Sequence, residues 1–284
     1  MAEFKIFCNG TADLPEEEYE KFDVTPVFLT LNIGDDSVKH IAMDEFYKRL
    51  REGAMPTTSA VNLGEAREAF EPALKDGKDI LCLAFSSGLS LSYGAMEMAA
   101  VELREEYPDR KIVVIDTLNA SAGERIMIYE AIKMRDEGKS LEETEAWVEA
   151  NKMKVTYWFS VDDLNHLKRG GRISATKAAL GGMLNVKPIL SVDKDGKLFN
   201  SGKVRGRAKS IEHLVEKLQE TVVNPEEIVV YIPQVDCVEE ADLLKDMILK
   251  AVKVKDVVHY PLGPVVAAHT GFGLLAVIFL GKGR

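Results

Sequence analysis

One recurring pattern constrains this chain more than any other feature: a short apolar run, a turn of small or hydroxylated residues, then a helical segment. Phe4–Phe7 leads into Asn9-Gly10-Thr11-Ala12-Asp13-Leu14-Pro15, Ile80–Phe85 into Ser86-Ser87-Gly88-Leu89-Ser90, and Lys111–Ile115 into Asp116-Thr117. Runs this apolar predict strands buried on both faces. Their alternation with helices implies parallel strands joined by crossover helices. The helices read over residues 91–106, 119–136 and 140–152, and Glu16–Glu18 open an earlier one, where acids suit the helix dipole. The loops at 9–13, 86–90 and 116–121 then share the carboxyl edge of the sheet, where ligands of such sheets bind.

Between these, Val24–Ile33 reads as a second strand, Met43–Glu52 as an amphipathic helix with Phe46, Tyr47 and Leu50 on one side, and Leu63–Leu74 as a further helix. The pattern changes near residue 155. Tyr157–Val161 reads as a strand, Leu164–Gly170 as a helix and Ala175–Asn185 as a small-residue helix. Lys187–Val192, Lys197–Phe199 and Lys203–Val204 read as strands joined by short turns, one at Asp195-Gly196. Helices over 207–223 and 238–253 and strands over Ile228–Ile232, Val257–Pro261 and Leu274–Leu280 complete the chain. The expected fold is α/β in two domains: a Rossmann-like parallel-sheet domain over 1–155, and an α+β domain with a mixed or antiparallel sheet over 156–284.

The balance of 36 basic against 46 acidic residues, a net charge of −10, is wrong for generic binding to nucleic acid or an anionic membrane. Any anion site must be built locally. The three cysteines, Cys8, Cys82 and Cys237, form no CxxC motif, and Met1 to Asn9 has one lysine and no long apolar region. Both observations predict a reducing, cytoplasmic setting. The most apolar stretch, Leu262–Leu280, is interrupted by Pro264, His269, Gly271 and Gly273. It predicts a ligand-contacting loop before a buried strand rather than a membrane span.

Two hydroxyl-rich motifs, Thr57-Thr58-Ser59 and Ser86-Ser87-Gly88-Leu89-Ser90, each precede a helix. Hydroxyl donors beside the free N–H groups of a helix start suit a carboxylate or phosphate. The same residues are also common helix caps. Lys168-Arg169-Gly170-Gly171-Arg172 places positive charge around a glycine pair, as an anion-receiving patch or a helix C-cap. Lys203-Val204-Arg205-Gly206-Arg207 is a second basic cluster. In Gly263–Gly273, His269 can donate to a carboxylate, carry a proton, or simply be a hydrogen-bonded core residue. Phosphate-loop, dinucleotide and metalloprotease motifs are missing, and His40, His166, His213 and His259 are too scattered to ligate a metal, so no cofactor and no metal are expected.

Taken in order, these segments resemble the DegV family of fatty-acid-binding proteins. The resemblance rests on Thr11-Ala12-Asp13-Leu14-Pro15, Met55-Pro56-Thr57-Thr58-Ser59, Ser86-Ser87-Gly88-Leu89-Ser90, Asp163-Leu164 through Arg172-Ile173-Ser174, Lys187-Pro188-Ile189-Leu190, and Gly263-Pro264-Val265-Val266 with His269-Thr270-Gly271. It implies a long-chain fatty acid, such as palmitate, stearate or oleate, lying between sheet and helices. Its carboxylate would be held by Thr57, Thr58, Ser59, Ser86 and Ser87, with His269 and Thr270 close by. It also implies a partner, an ATP-dependent fatty acid kinase, meeting a basic surface that here carries Arg169, Arg172, Arg205 and Arg207. The protein would present its ligand for acyl phosphate formation and catalyse nothing itself.

The chain departs from the family pattern at several positions. Asn9-Gly10 stands for the usual Asp-Ser, Ala60-Val61-Asn62 for Gln-Pro-Ser, Leu91 for Gly, and Phe272 for Pro. Two other readings stay open at this point. A stand-alone serine hydrolase or acyltransferase would draw on Ser87, His269 and Asp116. A lipid-sensing regulatory module would bind the acid without a kinase.

Overall fold

The computed structural model describes residues 3–173 and 185–284. The helix expected over Ala175–Asn185 and the motif residue Ser174 fall, Asn185 apart, outside the described residues. The chain forms two compact units. One comprises the chain up to Thr30 together with Thr58–Met153; the other comprises Leu31–Thr57 together with Lys154–Arg284. The sequence reading assigns everything before 155 to one domain, whereas Leu31–Thr57 groups here with the later part of the chain.

In chain order the first half contains β1 (Phe4–Asn9), α1 (Glu16–Lys21), β2 (Val24–Val27), β3 (Thr30–Ile33), β4 (Asp36–Val38), α2 (Met43–Arg51), β5 (Thr57–Ser59), α3 (Leu63–Lys75), β6 (Asp79–Ala84), α4 (Ser92–Glu106), β7 (Ile112–Asp116), α5 (Ala122–Asp136) and α6 (Leu141–Asn151). A four-stranded sheet in the order β2-β1-β6-β7 is parallel throughout, with Ile6 opposite Leu81 and Leu81 opposite Val113. Every residue of β6 is buried, as the apolar run Ile80–Ala84 requires, and Asp79 at its start accepts from the Lys111 N–H at 3.0 Å. On one face Phe7 meets Phe70 of α3 edge-on, ring centres 5.0 Å apart, both inaccessible to solvent.

The single strand expected over Val24–Ile33 is two. β2 carries Pro26 on the sheet edge, where a missing N–H is tolerated. After Phe28-Leu29 the chain leaves for a second, three-stranded sheet in the order β4-β3-β5.

The second half contains β8 (Val155–Ser160), α7 (Asn165–Arg169), β9 (Val186–Val192), β10 (Leu198–Arg205), α8 (Arg207–Thr221), β11 (Val229–Gln234), α9 (Val238–Ala251), β12 (Asp256–Pro261), α10 (Pro264–Thr270) and β13 (Leu275–Leu280). Its six-stranded sheet, β10-β9-β8-β13-β11-β12, is mixed: β11 and β12 run parallel, and the other neighbours antiparallel. Central β13 is buried along Leu275–Phe279, and α8 and α9 close one face through Leu214, Leu218, Leu244 and Ile248.

Two expectations change here. Leu198–Phe199 and Lys203–Val204 belong to one strand, β10, interrupted by a bulge between Asn200 and Gly202, and Lys197 precedes it. The loop expected before β13 contains α10, with Pro264 in its first turn and Gly271 (φ +71°) terminating it. Pro at the start and Gly past the end are the favoured boundary residues of a helix.

Candidate functional site

The carboxyl edge of the parallel sheet gathers several of the sequence motifs. Asn9, at the end of β1, is fully buried. Its amide Nδ2 donates to the Val27 carbonyl at 3.1 Å, and its Oδ1 accepts from the Phe85 N–H at 2.9 Å. One side chain thus fastens the ends of three strands, and an ionised aspartate has no donor for the Val27 carbonyl. Gly10 is fixed by a neighbour: a Cβ there would lie 2.2 Å from Cδ1 of the Phe28 ring. Asn9-Gly10 and Phe28 therefore form one packed set. Gly10→Ser alone is expected to cost about 1–3 kcal/mol through overpacking. Combining it with Phe28→Ala should cost less than the sum of the single changes, as read from chemical denaturation.

Ser86 follows β6 and is fully buried. Its N–H donates to the Asn119 carbonyl at 3.0 Å, its Oγ accepts from the Gly88 N–H at 3.2 Å, and its carbonyl accepts from Leu89 and Ser90, both at 3.0 Å. Ser87 is exposed, and its N–H donates to Asp116 Oδ1 at 3.1 Å. Further along, Ser90 and Ser92 share a hydrogen bond between their hydroxyls at 3.0 Å. Ser92 Oγ also accepts from the Val61 N–H at 3.2 Å, which ties the strand end carrying Thr58 and Ser59 to the serine loop.

The capping alternative is answered residue by residue. Helix α3 is capped by Asn62, whose side chain accepts from the Glu65 N–H at 3.0 Å while Glu65 reaches back to the Asn62 N–H at 2.9 Å. Thr57, Thr58 and Ser59 lie instead on β5. At α4 the N-cap position is Leu91, without a side-chain cap; Ser90 Oγ accepts from the Ser92 N–H at 3.2 Å, and neither Ser86 nor Ser87 caps the helix. Leu91, where the family pattern has Gly, has φ −82°, a conformation any residue adopts.

A buried polar group that sequence reasoning missed lies at the same edge. Glu124, on α5, is inaccessible to solvent. It accepts from the Thr11 hydroxyl at 3.1 Å and from the Ser121 N–H at 3.1 Å. Ser121 holds φ +50°, outside the ordinary range for an L-residue, and its hydroxyl donates to Asp13 at 2.7 Å. The available signal was Ser121 three positions before Glu124, a capping-box spacing. Burial drives the Glu124 pKa well above the usual carboxylate value, and the nearby Asp13 charge adds to this. The folded state therefore holds this proton where the unfolded chain releases it, and stability falls as pH rises from the ordinary carboxylate range. Glu124→Gln should flatten that decline, seen as a Tm advantage over the parent that widens from pH 5 to pH 8.

In the other unit, His269 and Thr270 end α10. Thr270 is buried, with Oγ1 3.5 Å from the Ala267 carbonyl. Burial, reinforced by the Arg172 charge, pushes the His269 pKa down to about 4. Near neutral pH the ring is uncharged, offering one N–H and one acceptor nitrogen rather than a cation. The glycines of the sequence motifs make room for imidazoles: a Cβ on Gly170 would lie 2.4 Å from His269 Nδ1, and one on Gly271 2.6 Å from the His166 ring.

The arginines of the expected kinase-facing surface differ in setting. Arg169 meets His166 Nδ1 at 3.1 Å, and half-buried Arg172 donates to the Gly170 carbonyl. Arg205 is exposed on the edge strand β10. Arg207 is mostly buried and bonded to Glu240 at 2.5 Å, in a network that includes Asp162, 4.0 Å away and itself paired to Lys187 at 2.5 Å. For a hydrolase, Asp116 is already engaged by the N–H groups of Ser87 and Leu118, each at 3.1 Å. Among the described residues, no cluster of His, Cys, Asp or Glu is arranged to hold a metal ion, and no helix is long and apolar enough to cross a membrane.

A parallel sheet with hydroxyl-bearing loops on its carboxyl edge, accompanied by a second unit built on a mixed sheet, defines a two-unit α/β protein with a polar loop edge. The chain belongs to the DegV family, whose model for uncharacterised DegV family proteins matches residues 3–282. A DegV domain-containing protein of Clostridium perfringens is 44% identical over 99% of this chain and 98% of its own length. The fold is shared with a solved DegV family protein of Thermus thermophilus described by its fatty acid binding, at 30% identity and a TM-score of 0.89, covering 99% of this chain and 100% of that one. It is shared as well with a fatty-acid-binding DegV family protein of Streptococcus agalactiae, at 26% identity and a TM-score of 0.88, covering 100% of both chains.

Proposed function

We propose that this protein binds a long-chain fatty acid, such as palmitate, stearate or oleate, and presents its carboxylate to a separate ATP-dependent kinase in the cytoplasm. The observation that carries the binding reading is the Val61–Ser92 hydrogen bond at 3.2 Å, which fastens the chain after Thr58-Ser59 to the first residue of α4, itself bonded to Ser90 of the Ser86–Ser90 loop at the carboxyl edge of the sheet. The fatty-acid binding of the related Thermus and Streptococcus proteins supports the choice of ligand. A chain of about 16–18 carbons contributes roughly 0.8 kcal/mol per buried methylene, so the tail supplies most of the affinity. The carboxylate cannot be buried unpaired. Hydroxyls of Thr57, Thr58, Ser59, Ser86, Ser87 and Thr270, with a neutral His269, are the donors offered to it.

The protein supplies binding and orientation, not catalysis. Its carboxylate-binding residues are hydrogen-bond donors, and Asp116, the acid a serine nucleophile would need, is held by backbone N–H groups. In the kinase step a carboxylate oxygen attacks the γ-phosphorus of ATP, giving an acyl phosphate and ADP. Arg169, Arg172 and Arg205 are the cations proposed to meet the kinase, together with Arg207, which is braced by Glu240. Such a carrier would serve lipid transport or fatty acid metabolism.

Denaturing extraction of the purified protein followed by mass spectrometry tests the binding reading. A near-stoichiometric acid of roughly 16–18 carbons is expected. Protein that carries no lipid, and acquires none from added oleate, removes it. A kinase that phosphorylates free fatty acid equally well with and without this protein removes the presenting role.

A further inference from the structure

Helix α10 places His269 and Thr270 at its end, with Ala267, Ala268 and Thr270 buried. It is seven residues long, and the segment that follows, Gly271-Phe272-Gly273, has both glycines at φ +71°. Residues flanked by glycines in this way have many conformations to choose from. Phe272, between the two glycines, lacks the ring by which a proline would fix φ by itself. Its restraints are its side-chain and backbone partners.

The Phe272 ring lies 6.3 Å from the Tyr47 ring and 5.9 Å from the Arg51 guanidinium, both on α2. Arg51 is held in turn by Asp236, whose two carboxylate oxygens both accept from Arg51 Nη2, at 2.6 and 2.5 Å. Asp236 lies in the loop after β11, and that loop is bonded to the glycine segment. Gly273 donates to the Val235 carbonyl at 3.0 Å, and Val235 donates to the Leu274 carbonyl at 3.0 Å. The ring of Phe272 is thus gripped from α2, and α2 from the loop that grips the backbone beside Phe272. The cation over the aromatic face is directional, and the ion pair with Asp236 fixes where that cation lies, so the arrangement sets a position as well as adding stability. Position matters here, because the His269 ring already packs against Gly170 so closely that a single Cβ would collide with it.

We infer that Phe272 is a positioning residue for the fatty-acid carboxylate: clamped by Tyr47 and the Arg51–Asp236 pair, it holds the α10 end at which His269 and Thr270 meet the head group. This rests on the binding reading above. The clamp acts through His269 and Thr270 and touches no ligand itself.

The test is titration of delipidated full-length protein with cis-parinaric acid, read by its fluorescence. Phe272→Ala and Arg51→Met are each expected to weaken binding about tenfold, and Phe272→Tyr to return it to within about twofold of the parent. In a His269→Ala, Thr270→Val background the Phe272→Ala change should cost less than about twofold, because the groups it positions are gone. The His269 imidazole resonances should also shift in Phe272→Ala and stay at the parent position in Phe272→Tyr. Should Phe272→Ala fail to fold, Arg51→Met carries the same comparison, since the Arg51 side chain is 57% exposed. Undiminished binding in both variants, or an equal loss with and without His269 and Thr270, overturns the clamp while leaving fatty-acid binding intact. Failure of the unaltered protein to bind cis-parinaric acid overturns the binding reading, and the clamp with it.

Discussion

The double change Thr58→Val and Ser87→Ala is expected to weaken long-chain fatty-acid binding by about 100-fold or more. Valine keeps the shape of threonine and alanine removes one oxygen, so the space for the acyl chain and its methylene contribution is unaltered. Only the treatment of the carboxylate changes. Hydrogen bonds to a charged group are worth roughly 1.5–3 kcal/mol each, and a tenfold change in affinity is about 1.4 kcal/mol, so losing two gives at least the stated factor. The measurement is displacement of a fluorescent fatty acid. Ser140→Ala serves as control: Ser140 caps α6 through the Glu143 N–H at 3.2 Å, so its loss lowers stability and leaves affinity alone. An unchanged dissociation constant in the double variant means the head group is held elsewhere.

Phe70→Ala carries the largest expected cost to stability, about 3–5 kcal/mol. Phe70 has no solvent exposure and meets Phe7 edge-on at 5.0 Å, so the substitution empties an aromatic volume between α3 and β1. That is a large share of a total stability of about 5–15 kcal/mol. It should appear as a lower urea midpoint with little change in slope, since the same surface is exposed on unfolding. A loss below about 1 kcal/mol would mean that the site collapses around the missing ring.

The parallel half of the fold was legible because its strands are mostly apolar, β6 being buried along its whole length, and are followed by unmistakable turns. Val24–Ile33 misled for the same reason: a run of apolar residues does not record that the chain changes sheets at Phe28-Leu29, and Pro26 is harmless on an edge. The bulge at Asn200–Gly202 made β10 look like two strands, because it interrupts the alternation without ending the pairing. Helix α10 read as a loop because its glycines weighed more than the Pro264 and Gly271 that bound it. At the carboxyl edge the hydroxyl motifs were visible as composition, but their attachment through Ser92 was not, since Ser92 sits inside the following helix. Glu124 escaped notice because one acid in a helix ordinarily faces water, and only three-dimensional packing encloses it.

The grouping of Leu31–Thr57 with Lys154–Arg284 has a consequence for synthesis. At roughly 5–20 residues per second, this early stretch leaves the ribosome several seconds before the strands and helices it belongs with. Meanwhile Leu31, Ile33, Phe46 and Leu50, all enclosed in the finished molecule, have no shelter. A nascent chain in that condition is a natural client for a holding chaperone, and a fragment begun at residue 156 would lack a piece it needs to close.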